Sequence, residues 1–67
     1  MPVARVTELS ATSTKGFDDA IQQGLDRATK TLRNVKSAWI KEMRVELDNG
    51  KVSEYQVNML VTFLLDT

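Results

Sequence analysis

The chain has 67 residues, and its nine basic and nine acidic side chains cancel, so no field of one sign draws it to nucleic acid or to an anionic membrane. It contains neither cysteine nor histidine, which removes disulfides, the usual zinc sets, histidine-ligated haem and any Cys-His or Ser-His nucleophile pair. A chain this short buries only about 60% of the surface its unfolded form exposes, and with disulfides and a Cys/His metal site gone, homo-oligomerisation is the expected route to stability.

Residues Val3 to Ser10 carry Val3, Val6 and Leu9 among polar residues and run into the turn-like cluster Ser10-Ala11-Thr12-Ser13-Thr14, a pattern that predicts a first strand. From Phe17 onward the apolar positions Phe17, Ala20, Ile21, Leu25, Ala28, Leu32 and Val35 recur at three-and-four spacing, which paints one stripe on a helix. Ser13 or Thr14 is the expected cap. Asp18 and Asp19 fall in the first turn, and Arg27, Lys30 and Arg33 toward the end, in keeping with the helix dipole. The helix is expected from about Gly16 to about Asn34, roughly 28 Å at 1.5 Å per residue.

Two further strands, Ala38 to Leu47 and Lys51 to Leu65, flank Asp48-Asn49-Gly50, where Asn-Gly supplies the positive φ angles of a tight hairpin turn. Calcium is the other reading of these oxygen-bearing side chains, but no further ligands follow at EF-hand spacing. The apolar phase of the second strand changes between Ala38/Ile40 and Met43/Val45/Leu47, which predicts a bulge near Lys41 and Glu42. The third strand alternates Tyr55, Val57, Met59, Val61, Phe63 and Leu65 on one face, with Gln56, Asn58, Leu60, Thr62 and Leu64 on the other. The first set is expected to face the helix.

With no linker, repeat or low-complexity segment, residues 1–67 read as one domain of the α+β class. The order β-α-β-β implies a three-stranded antiparallel sheet with one helix on one face, and the apolar third strand belongs at the centre, giving the spatial order 2-3-1. One helix covers one side only. The other side would show Leu60, Leu64 and Trp39, a patch that marks an interface or a ligand site. The longest uncharged apolar run, Met59 to Leu65, is too short to span a bilayer, and the start Met1-Pro2-Val3-Ala4-Arg5 has no signal-peptide pattern, so a cytoplasmic location is expected.

Ala11-Thr12-Ser13-Thr14 before an amphipathic helix, Thr31-Leu32-Arg33-Asn34 at its end, Asp48-Asn49-Gly50-Lys51-Val52 at the hairpin, Tyr55-Gln56-Val57, and a closing apolar strand with Phe63 together resemble the dodecins. The resemblance runs over nearly the whole chain without gaps. It implies a β-α-β-β fold, a hollow homododecamer, and flavins (FMN or riboflavin) stacked in pairs between tryptophans across two-fold axes. Gln56 matches the family's glutamine that hydrogen-bonds the flavin ring. The family's stacking tryptophan lies five residues after the leucine that matches Leu32, and that position here is Ser37; Trp39 follows two residues later, on the same strand face.

The expected flavin-binding residues are therefore Trp39 and Gln56, with Ser37 lining the site. Trp39 also reads as an interface aromatic, and Gln56 as a solvated amide. Arg27, Lys30, Arg33 and Lys36 read either as a solvated basic face or as an anion site for the phosphates of a nucleotide or of coenzyme A, which some dodecins bind. An enzyme is not expected, because no pair of carboxylates has a spacing that suggests acid-base work, and Glu42 and Glu46 read as ion-pairing or solvated groups. The leading expectation is a flavin storage shell; the alternative is a dodecin-like structural oligomer holding another small ligand or a cation.

Overall fold

The structure, a computed structural model, describes residues 3–66. Its elements follow the order β1 (Ala4–Ser13), α1 (Phe17–Thr31), β2 (Val35–Asp48) and β3 (Lys51–Leu64). The three strands form one antiparallel sheet in the order β1-β3-β2, with β3 in the middle as its apolar content requires.

The helix packs on one face of the sheet. Val57, Met59 and Val61 of β3 are fully buried against Ala20 and Ala28 of α1, and Leu9, Ala11, Ile21, Leu25, Leu32 and Ala38 close around them. Gly24 sits between Ala20 and Ala28 on the buried stripe, and a Cβ there would lie 2.8 Å from Met59 Cε, 3.1 Å from Leu9 Cδ1 and 3.3 Å from the Ala11 Cβ. Small residues at these three positions let the helix lie close to the strands. At its start, Phe17 meets Tyr55 edge to face, with ring centroids 5.1 Å apart.

The helix begins differently from the sequence expectation. Gly16 is the N-cap and no side chain caps the helix. Ser13 instead donates to Asp19 Oδ2 at 2.6 Å and accepts the Lys15 backbone N–H at 2.9 Å, so its hydroxyl ties the strand end to the first helical turn. These bonds hold the Asp19 carboxyl below the ordinary aspartate value, Ser13 acting most strongly and Gln23, which donates to the same oxygen at 2.6 Å, next.

The helix also stops earlier than its apolar stripe. Leu32 is already extended, its N–H bonded to the Ala28 carbonyl at 2.8 Å, and Asn34 takes a left-handed conformation with φ 61°. The Asn34 carbonyl accepts the Leu64 N–H at 3.1 Å, and its side chain donates to Asp66 at 3.0 Å. Pairing with the end of β3 thus takes Val35 out of the helix and starts β2 there. The same ladder lengthens β1, since Ser10, Ala11, Thr12 and Ser13 pair with Asn58, Val57, Gln56 and Tyr55. A turn-like composition loses to a complete set of cross-strand hydrogen bonds.

The β2-β3 hairpin closes through Asn49 (φ 53°) and Gly50 (φ 78°), the two-residue turn that the sequence predicts. The predicted bulge is present as a register shift between Ile40 and Glu42, which leaves Lys41 as the extra residue. Two more shifts occur, one around Lys36 and one near the turn, where Ser53 is extra on β3. The hairpin runs beyond the N-terminal start of the helix, giving the protein extents of 51 × 19 × 13 Å and leaving Met43, Val45, Leu47 and Val52 exposed along its outer half.

A candidate ligand-binding face on the open side of the sheet

The helix covers one side of the sheet, and the register places the other side's residues in cross-strand rows. Val6, Thr62 and Ser37 form one row, and Glu8, Leu60 and Trp39 the next. Beyond the Lys41 bulge come Ser10, Asn58 and Glu42, then Thr12, Gln56 and Arg44. Without that bulge Glu42 and Arg44 would point toward the helix, since one inserted residue reverses the faces of everything after it.

Trp39 is 74% exposed, the most exposed large apolar side chain among the described residues. With Ile40, Lys41 and Leu60 it lines a shallow groove of about 290 Å³. The Lys41 ammonium reaches Glu8 Oε2 at 3.2 Å across the sheet, so an ion pair flanks the indole. Ser37 is exposed as well, opposite Thr62.

Gln56 lies in a second hollow of about 140 Å³, lined by Glu42, Met43, Arg44, Gln56 and Asn58. Its Nε2 donates to Ser10 Oγ at 2.8 Å and makes a longer contact of 3.5 Å with Asn58 Oδ1. Asn58 in turn donates from Nδ2 to Glu42 Oε1 at 3.0 Å. Arg44 is held by Glu46 at 3.0 Å, so Glu46 is the ion-pairing group the sequence suggests, whereas Glu42 accepts from an amide.

The structure puts Ser37, Trp39 and Gln56 on one face but does not gather them in one hollow. Leu60, opposite Trp39, is four residues from Gln56 along β3, or roughly 13 Å at the rise of an antiparallel strand, and Thr62, opposite Ser37, is roughly 20 Å from it. The basic residues are likewise spread over several elements: Arg27 and Lys30 lie on α1, Arg33 follows it and pairs with Asp66 at 3.0 Å, and Lys36 is a bulge residue of β2. Among the described residues no group of three acidic side chains is placed to hold a metal ion, and no helix is long and apolar enough to cross a membrane.

The sequence profile of the dodecins matches residues 3–66, all but the ends of the chain. This chain belongs to the dodecin family. It is 42% identical over 64 residues to a dodecin from Thermus thermophilus, covering 96% of this chain and 93% of that protein. The crystal structure of the tt0972 protein from Thermus thermophilus superposes with a TM-score of 0.94 at 40% identity, over 100% of this chain and 98% of that one. Dodecin from Streptomyces davaonensis superposes with a TM-score of 0.92 at 39% identity, over 98% and 97% of the two chains. The antiparallel sheet, its strand order and its single helix are thus those of the dodecin fold.

Sequence reasoning had no reason to link Ser10, Asn58 and Glu42 to Gln56. A polar pair at alternate positions, Gln56 and Asn58, on a strand otherwise apolar on both faces was the available signal. The partners from β1 and β2 follow only once the register and the Lys41 bulge are known.

A flavin fits the chemistry of this dodecin face. Trp39 offers an uncovered indole for stacking, and among the described residues no hydrogen bond reaches Gln56 Oε1, which leaves an acceptor for a ring N–H.

Proposed function

We propose that this dodecin is a non-enzymatic, cytoplasmic flavin-binding protein that stores FMN or riboflavin in a hollow homododecamer. The observation that carries the reading is the bare indole of Trp39 on a sheet face that nothing in the protomer covers. A patch of this kind is a ligand site or an interface, and in a shell whose ligands sit between copies it is both. That Trp39 and Gln56 line separate hollows of the protomer supports the same arrangement. A ligand that stacks on one protomer's indole meets the glutamine of a second copy, so the site is complete only in the assembly.

In this reading Trp39 supplies the stacking surface, Gln56 Oε1 accepts from the ring edge, and Ser37 lines the space beside the indole. The bound flavin supplies its own photochemistry, which close contact with an indole quenches. Riboflavin added to the ligand-free protein is expected to lose fluorescence, and Trp39→Ala to weaken binding by about 1–3 kcal/mol. Native mass spectrometry with ligand retained reads subunit number and bound mass together, and a bound mass matching coenzyme A instead of flavin would overturn the flavin assignment.

Ser37 favours a second reading, a dodecin-like structural oligomer that holds another small ligand or a cation. A serine stands where the family's stacking tryptophan usually lies, so Trp39 in that case serves the interface alone. Trp39→Ala then lowers the stability of the oligomer and leaves any flavin affinity as it was. Ser37→Trp separates the two: a large gain in flavin affinity means that the site had been given up, and a loss through crowding means that Trp39 already fills it.

A further inference from the structure

Gln56 has an amide whose two ends are opposite in hydrogen-bonding character, and a ligand site built on it depends on which end faces outward. Its neighbours leave one answer. Glu42, as a carboxylate, only accepts, so the Asn58 side chain must turn its Nδ2 toward it, as it does at 3.0 Å. That choice turns Asn58 Oδ1 toward Gln56, which must then present N–H on that side, at 3.5 Å. The Ser10 hydroxyl oxygen takes the other Nε2 hydrogen at 2.8 Å. Nε2 thus has one close acceptor, Ser10, and a longer contact with Asn58, and among the described residues no hydrogen bond reaches the glutamine's carbonyl oxygen, beside the 140 Å³ hollow that Glu42, Arg44 and Asn58 also line.

We propose that Glu42, acting through Asn58 and assisted by Ser10, fixes the orientation of the Gln56 amide, so that the site selects a planar ligand presenting a ring N–H and rejects the same ligand alkylated there. Glu42, Asn58 and Ser10 are positioning residues, and Gln56 is the one that touches the ligand. The inference rests on the proposed binding role of Gln56. The ligand class it adds is a heteroaromatic ring with an imide or lactam N–H at its edge. A free glutamine would turn over to offer N–H to an alkylated or acceptor-only ring, whereas turning Gln56 over here would set its Oε1 against Asn58 Oδ1, an unfavourable pairing of two acceptors.

The test uses riboflavin and its N3-methyl derivative, each titrated by fluorescence quenching into the assembled protein and into Glu42→Gln and Ser10→Ala. The parent is expected to bind riboflavin about tenfold more tightly than the methylated form, the size of one lost hydrogen bond to a buried edge. Glu42→Gln keeps the shape of the side chain but can donate as well as accept, so Asn58 and Gln56 are freed to turn and the discrimination should fall to within about threefold. Equal binding of both ligands by the parent, or discrimination unchanged in Glu42→Gln, overturns the proposal. A ligand-free measurement separates this inference from the flavin reading itself. The Gln56 side-chain amide group should be rigid by nitrogen relaxation in the parent and mobile in Glu42→Gln and Ser10→Ala. Equal mobility in all three overturns the positioning role even where flavin binds. A rigid amide released by the substitutions, in a protein that quenches neither flavin, sustains the positioning role and overturns the flavin reading alone.

Discussion

Gly50 carries the hairpin's reversal at φ 78°, where a side chain pushes Cβ against the backbone although the surrounding space is open. Gly50→Val should therefore cost on the order of 1–2 kcal/mol in equilibrium unfolding, from backbone conformation and not from crowding. Gly50→Asn should cost less, because asparagine tolerates this region. At the start of the helix, Ser13 and Gln23 hold the Asp19 carboxyl below the ordinary aspartate value. A carboxyl with a lowered folded pKa stabilises the fold above its unfolded value, and the contribution is lost as pH falls through the folded value. Ser13→Ala should raise the Asp19 titration midpoint, read by carbon-13 NMR of the carboxyl. The variant should be less stable than the parent at neutral pH, and the gap should close in acid.

At the scale of elements, the helix lies close to the sheet because Gly24 has no side chain to hold it off. Gly24→Leu should cost about 1–3 kcal/mol, because Met59, Leu9 and Ala11 already occupy the space that the new side chain would need. Thermal or denaturant unfolding checks this. Gly24 was not singled out from sequence, because its role depends on which strand residues lie beneath the helix. The kind and order of elements were legible: period-two alternation marked β3, three-and-four spacing marked α1, and Asn49-Gly50 marked the turn. The element ends were not. The helix stripe continues through Leu32 and Val35, and only pairing of Val35 with Phe63 shows that the chain has already become β2. The candidate site was legible in part: strand alternation places Trp39 on the uncovered face, the family resemblance adds Gln56, and the register puts both on that face. Their separation along β3, and the partners of Gln56, came from register, which is a property of three strands together.

For the whole molecule, the long hairpin leaves two apolar surfaces that a lone protomer does not cover, Trp39 with Val6 on the open face and the Met43, Val45, Leu47 and Val52 strip beyond the helix. A closed homo-oligomer covers such surfaces, and sedimentation showing a stable folded monomer at micromolar concentration would count against one. The outer edge of β2 is meanwhile protected from indiscriminate strand pairing. Two of its register shifts place a lysine, Lys36 or Lys41, as the extra residue, which interrupts the edge and adds charge to it.

The strip on the outer hairpin also bears on how long a subunit survives alone. After dilution from denaturant, intrachain folding should finish first, followed by a phase whose rate rises with protein concentration as copies meet. A chain that has folded but found no neighbours leaves Met43, Val45, Leu47 and Val52 exposed, and exposed apolar surface of this kind favours association with other copies. If the proposed shell forms, the storage capacity of a cell changes by whole particles. A pool of free subunits waiting for ligand is then a state that the geometry of this hairpin makes short-lived.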